Sequence, residues 1–297
     1  MAIGSIARSQ PRSLVVFFAL AFGISWAVWI PAALASYGLL SVQVDPFVSN
    51  LLGAFGPFVA AVVTTACYEG RTGLGALFKR LLIWRVGIQW YLFVLFWPAT
   101  LSLAKTTLAI LAGSAAPDFA HPPFVQLYSL PPGLAKANPL LFLPFVLVWQ
   151  TLLGSSMGEE IGWRGYALPH LQSRHSSLRA SLLLGACWGI WHLPEWLTNG
   201  FPLPATFVGW SLLGLMANTV LFTWVFNNTK GSLLLALLFH TSIAITGLFL
   251  ATVETHPLIE VALSWGVAML VVAAYGPKQL SRVASGTSIP AKTHPLL

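Results

Sequence analysis

The chain has 297 residues, of which 57% are apolar and only 8% charged, with a net charge of +7 and a mean hydropathy of +0.78. Soluble globular domains are about 45–50% apolar and roughly 25% charged, so this composition excludes an ordinary soluble domain. Long unbroken apolar runs argue against a β-barrel, which shows alternating segments of ~10 residues, and basic residues scattered through short loops argue against nucleic acid as a partner. The expectation is an all-α, polytopic transmembrane helical bundle, because only helices satisfy their own backbone within each segment in lipid.

A span needs ~20 apolar residues. Eight are expected, at 14–36, 47–67, 90–112, 139–158, 180–198, 205–226, 231–251 and 257–275. The first follows Arg8 and Arg12 and imitates a signal peptide, with Ala33-Leu34-Ala35 resembling a cleavage site. Its apolar run is longer than the ~7–15 residues of a signal h-region, so it reads as a membrane helix. Alternating sides from a cytoplasmic N-terminus places every one of the 15 basic residues inside except Lys105 and Lys136. The positive-inside rule therefore favours an even number of spans with both termini cytoplasmic.

The expected organisation is a cytoplasmic segment 1–13, N-terminal membrane helices over 14–138, a core at 139–252, a last span within 253–276 and a disordered cytoplasmic tail 277–297. Within the first region, 68–89 mixes Lys79, Arg80 and Arg85 with apolar residues and reads as a basic amphipathic helix on the membrane surface. The fourth span is expected to continue as helix past Arg164 to a loop near Arg174. Cys67 and Cys187 lie in apolar segments without metal-ligand spacing and read as small buried residues. No internal repeat is visible, which weakens a transporter reading.

Charge inside lipid is costly unless it is paired or functional. Gly158-Glu159-Glu160-Ile161-Gly162-Trp163-Arg164 puts three ionisable groups beside an apolar run. Glu160 and Arg164 are four residues apart and pair on one helix face. Glu159 points about 100° away and is left free.

Five histidines, His121, His170, His175, His256 and His294, fall in loops, segment ends or the tail and read as ordinary solvated residues. His192 and His240 lie inside predicted spans, about 18 Å and about 14 Å from the basic face at 1.5 Å per residue. Trp188, one turn before His192, packs against its ring in this reading, and Pro194 disfavours a regular continuation of the helix. Glu195 either bonds the ring or sits at the outer interface. Glu159 is less comfortable: counted from position 139 it reaches the membrane edge.

A carboxylate in an apolar cavity serves as a general base near neutral pH, and two imidazoles orient water, hold a metal or stabilise an oxyanion. Glu159, His192 and His240 supply the minimum set for peptide hydrolysis. Two His and one Glu also form a catalytic zinc set, although the usual His-Glu-x-x-His arrangement is absent. A divalent metal held by Glu159, His192 and His240 stays open, as does a proton-coupled transporter in which buried Glu and His form a relay.

The words GEEIGWRGYALP, WGIWHLPEW and TKGSLLLALLFHTS, in this order over 139–252, resemble the CPBP family. These are CAAX proteases and bacteriocin-processing enzymes, also called ABI or type II CAAX prenyl endopeptidases. The resemblance implies an eight-helix intramembrane protease with a cavity opening to the cytoplasm. In it Glu159 activates water, His192 and His240 complete the site, and Glu160, Arg164 and Trp188 support it. The implied substrate is a membrane-associated protein or peptide, in CAAX processing or bacteriocin maturation and self-immunity. The family commonly carries Asn or Asp four residues after the last histidine, where this chain has Ala244. Asn218, Thr241 or Thr246 then has to substitute, or the protein is a catalytically weakened immunity or binding protein.

Overall fold

A computed structural model describes residues 11–41, 44–124, 138–198 and 203–282. The expected segment 1–13 lies mostly outside these residues, as do 125–137 of the expected N-terminal region 14–138 and 283–297 of the expected tail. The regular elements of the described residues are all helices, without strands. In chain order the helices are α1 (Pro11–Ser36), α2 (Pro46–Ala54), α3 (Gly56–Lys79) and α4 (Ile88–Leu111). The fourth apolar segment contributes α5 (Leu143–Leu152), α6 (Ser155–Glu160), a π-helical turn (Ile161–Ala167) and α7 (Leu168–Gln172). Then follow α8 (Ser177–Trp191), α9 (Leu193–Thr198), α10 (Ala205–Asn228), α11 (Leu233–Phe249) and α12 (Pro257–Tyr275).

Local sequence sets the helix starts. Asp45 accepts from the Val48 amide ahead of Pro46, Ser176 from Arg179 and Ser232 from Leu235, each satisfying an orphan donor of the first turn. Among the described residues six segments are long and apolar enough to cross a membrane, and the chain is a multi-pass membrane protein. The other two expected spans are shorter: α11 has 17 residues, and α8 stops at Trp191 after 15. These two carry His240 and His192.

The expected surface helix over 68–89 takes another form. α3 runs on to Lys79 across a break at Gly70, whose φ of 66° suits a residue without a Cβ, and ends in a 3₁₀ turn at Arg80–Leu82. The cysteines also differ from expectation, because Cys67 is exposed and Cys187 half-buried, and both are free. His170 is not a solvated loop residue. It is buried on α7, with Nδ1 donating to the Tyr166 carbonyl at 2.7 Å and Nε2 3.4 Å from Glu69. Lys105, inside α4, pairs with Glu260 of α12 at 2.6 Å.

The two ends of the bundle differ. At one end, Arg80 donates to the Gly165 carbonyl and Ser232 to that of Ile83. There the chain after α12 folds back: the Ser177 amide bonds the Lys278 carbonyl, and the side chains of Asn227 and Asn228 donate to the carbonyls of Gln279 and Leu280. The expected tail is therefore ordered through Arg282, with Leu280 fully buried. At the opposite end α1 finishes, α2 begins and α9 lies across them, with Ser36 donating to the Leu197 carbonyl and Thr198 to Asn50.

Candidate active site

The fourth apolar segment runs 34 residues, from Pro139 to Gln172. As one straight helix it would measure about 50 Å, well beyond the ~30 Å hydrocarbon core. It breaks instead at Leu153–Gly154, where Gly154 is extended (φ −89°, ψ −168°) and Gln150 bonds Ser155 across the break at 2.8 Å. Beyond it α6 presses on α2: a Cβ on Gly158 would lie 2.5 Å from the Ala54 carbonyl oxygen. Ala54 is about 12 Å along α2 from Pro46 at 1.5 Å per residue, so Glu159 is carried into the interior. The edge position counted from 139 assumed a straight helix, and the break removes it. The helix does continue past Arg164, as expected, to Gln172.

Glu159 is 4% exposed. It is not free: its Oε2 accepts from Trp188 Nε1 at 2.7 Å. Its Oε1 lies 3.9 Å from His240 Nε2. Glu160 and Arg164 pair as expected at 2.8 Å, both side chains fully buried. The same Glu160 Oε1 accepts from His240 Nδ1 at 2.8 Å. Glu160 thus both neutralises Arg164 and fixes the His240 ring, turning Nε2 toward Glu159. The guanidinium sits 3.9 Å from the Phe222 ring centroid and 4.5 Å from that of Trp188, a cation–π seat that offsets part of its desolvation.

His192 ends α8, and Pro194 lies in the first turn of the short α9 that follows. Its Nδ1 donates to the Trp188 carbonyl at 2.7 Å, leaving Nε2 for the cavity. Trp188 packs against both rings, at 5.5 Å from His192 and 6.0 Å from His240. Glu195 turns inward, with Oε2 3.8 Å from His192 Nε2, beyond hydrogen-bonding reach.

Glu159, His192, Glu195 and His240 line one cavity of about 270 Å³. Its walls include Trp29 from α1, Phe47 and Asn50 from α2, and Trp149 and Gln150 from α5. Ala244, Asn218, Thr241 and Thr246 do not line it. Thr241 is buried and bonded to Thr151 and Ser156, each at 3.0 Å, so it does not stand in for the missing Asn or Asp. Sequence reasoning missed the Trp188–Glu159 bond and the wall formed by α2 and α5. The four-residue spacing from Trp188 to His192 was a signal for the first; nothing local signalled the second.

Two imidazoles and a carboxylate are a zinc donor set, and a fixed Nδ1 on each ring is what metal-bound histidines show. Among the described residues, however, no three His, Cys, Asp or Glu side chains are grouped at metal-ligand spacing. The donor types fit a metal and their present spacing does not.

A family model described as type II CAAX prenyl endopeptidase Rce1-like matches residues 136–246. A protein of Methanococcus maripaludis called CAAX prenyl protease 2 is 35% identical over 136 residues, which is 44% of this chain and 49% of that relative. The aligned stretch thus spans about half the length of that protein. A UPF0397 protein of Lactobacillus johnsonii is 25% identical over 135 residues, 44% of this chain and 70% of that relative. The matched stretch contains Glu159, Glu160, Arg164, Trp188, His192 and His240. Over residues 136–246, less than half of its length, the chain is similar to the Rce1-like family of type II CAAX prenyl endopeptidases.

Proposed function

We propose that the protein is an intramembrane endopeptidase that hydrolyses a peptide bond of a membrane-associated protein or peptide. The observation that carries this reading is the meeting of Glu159, His192 and His240, from three separate segments, on one cavity. The Methanococcus relative, called a CAAX prenyl protease, supports the same chemistry.

Both histidines commit Nδ1–H to a fixed acceptor, so each neutral ring offers its Nε2 lone pair to the cavity. A water held by these nitrogens loses a proton to Glu159 as its oxygen attacks the scissile carbonyl carbon. Glu159 hands this proton on to His240 Nε2, 3.9 Å away, and the resulting imidazolium, held beside Glu160, stabilises the tetrahedral oxyanion. His240 then gives the same proton to the amine nitrogen as the C–N bond breaks and returns to its neutral form. Water is consumed, and a carboxylic acid and an amine are formed, which exchange a proton to leave as carboxylate and ammonium. Trp188 fixes the Glu159 carboxylate in line with the water, and the Glu160–Arg164 pair holds His240.

The test is the Glu159→Gln variant in purified, detergent-solubilised protein. Hydrolysis of a prenylated CAAX reporter peptide and of an unprenylated membrane-inserted peptide is compared with wild type. Loss of cleavage by about 10²–10⁴-fold, with unchanged thermal unfolding, is expected for removal of a general base. Full retention by the folded variant sinks the reading. The mechanism uses the chain's own groups, so activity after chelation of divalent cations is expected to equal that before it. Loss on chelation, restored by zinc, would instead show the donors drawing together on a metal.

A second reading, a catalytically weakened immunity or binding protein, draws on Ala244, which contributes nothing to the cavity. It expects Glu159→Gln and His240→Ala variants to keep the cellular phenotype.

A further inference from the structure

The cavity belongs to one end of the bundle. Trp29 lies in the last turns of α1 and meets Trp191 at 4.5 Å between ring centroids. Phe47 and Asn50 lie in the first turns of α2, and Asn50 is bonded to Thr198 at the end of α9. His192 caps the far end of α8, about 22 Å along the helix from Ser177 at 1.5 Å per residue. No cavity-lining residue comes from the other end, where α3 finishes, α8 starts and the chain after α12 is clamped.

The charges segregate along the same axis. Arg12, Lys79, Arg80, Arg179, Lys230 and Lys278 all sit at the clamped end. At the cavity end stand Asp45, which caps α2, and Glu260 in the first turn of α12, and Lys105 there is paired with Glu260. Cationic loops are retained on the cytoplasmic side during insertion, and acidic residues contribute little to that choice. The clamped, basic end is therefore cytoplasmic, and the cavity opens away from it.

We propose that the cavity opens to the non-cytoplasmic face and that its substrate is an exported, membrane-associated peptide. This rests on the endopeptidase reading for the word substrate, and on the charge axis alone for the side. It departs from the cytoplasmic opening that the family resemblance implies. Asn50 and Gln150 bring amide groups to the cavity wall and Trp29, Phe47 and Trp149 bring apolar rings, a mixture that suits the backbone and side chains of a peptide. Phe47, Val48 and Leu52 are exposed on α2, which gives a lipid-anchored or membrane-inserted peptide a lateral approach.

The test is single-cysteine labelling in a Cys67→Ser, Cys187→Ala background expressed in a bacterial inner membrane. Phe47→Cys and Tyr37→Cys report the cavity end, and Arg179→Cys the clamped end. A membrane-impermeant maleimide should label the first two in cells with a permeabilised outer membrane, and Arg179→Cys only after lysis. Labelling of both cavity-end positions only after lysis, or at neither stage, overturns the proposal, as does labelling of Arg179→Cys before lysis. Tyr37→Cys keeps the test informative if Phe47→Cys fails to fold. None of these readouts depends on proteolysis, so an inactive protein would defeat the endopeptidase reading without touching this one. In the second arm, a reporter peptide fused to an exported lipoprotein should be cleaved in a Glu159-dependent manner. Cleavage confined to a reporter on a cytoplasmic lipid anchor overturns the substrate assignment.

Discussion

Leu143–Leu152 and Ile161–Ala167 belong to one apolar stretch and have opposite surroundings. In the first, Phe145 is 69% and Val148 54% exposed, facing where lipid lies. In the second, all seven residues are buried, including a tryptophan, a tyrosine and an arginine. Hydropathy marks both as membrane segments and does not say which faces lipid. The difference lies in the small and charged residues. Gly158 and Gly162 let this part of the chain press on α2 and α3, and the pairing of Glu160 with Arg164 offsets part of the cost of burying both charges there.

That contrast can be broken by changing one region and not the other. The largest effect is expected for Arg164→Met, which strands Glu160 with one partner fewer in a dry interior. Unfolding in detergent should show about 3–5 kcal/mol of lost stability, and a loss near zero would mean the pair is not what the interior depends on. Trp188→Phe removes the N–H that reaches Glu159 while keeping the ring. Turnover should drop by an amount equivalent to about 1.5–3 kcal/mol, with KM little changed, and an unaltered turnover would detach Trp188 from the reaction. Gly162→Ala places a methyl 2.5 Å from Pro57 Cβ and 2.6 Å from its carbonyl oxygen, so a stability loss of about 1–3 kcal/mol is expected. Phe145→Ala, on the lipid-facing side, should shift stability by less than about 0.5 kcal/mol. If Phe145→Ala cost as much as Gly162→Ala, the two environments would not be distinct.

The helical membrane fold was legible because apolar runs of span length have few other uses. The pairing of Glu160 with Arg164 was legible because it is a matter of helical period. The position of Glu159 was not, since a straight helix was assumed and the break at Gly154 depends on packing against α2. Glu195 could be read only as one of two alternatives, because three residues beyond a kinked histidine leave the side chain's direction to the tertiary fold. The ordered segment at 277–282 looked like tail because its anchors, Asn227 and Asn228, lie on another helix and polar composition alone does not reveal them. His170 was misjudged for the same reason, its partner Glu69 lying on α3.

The π-helical turn at Ile161–Ala167 makes the site sensitive to chain length. A wider turn holds an extra residue relative to α-geometry, and such bulges concentrate at functional positions. Excising one residue there would let the turn relax to α-geometry, and the helix on either side would keep its phase. Glu160 and Arg164 would stay three or four residues apart and remain neighbours. Adding one residue has no such outlet, because the turn already carries its surplus: everything beyond the addition would turn by about 100° relative to Glu159 and Glu160, and Arg164 would swing off its acidic neighbour with every charge still present.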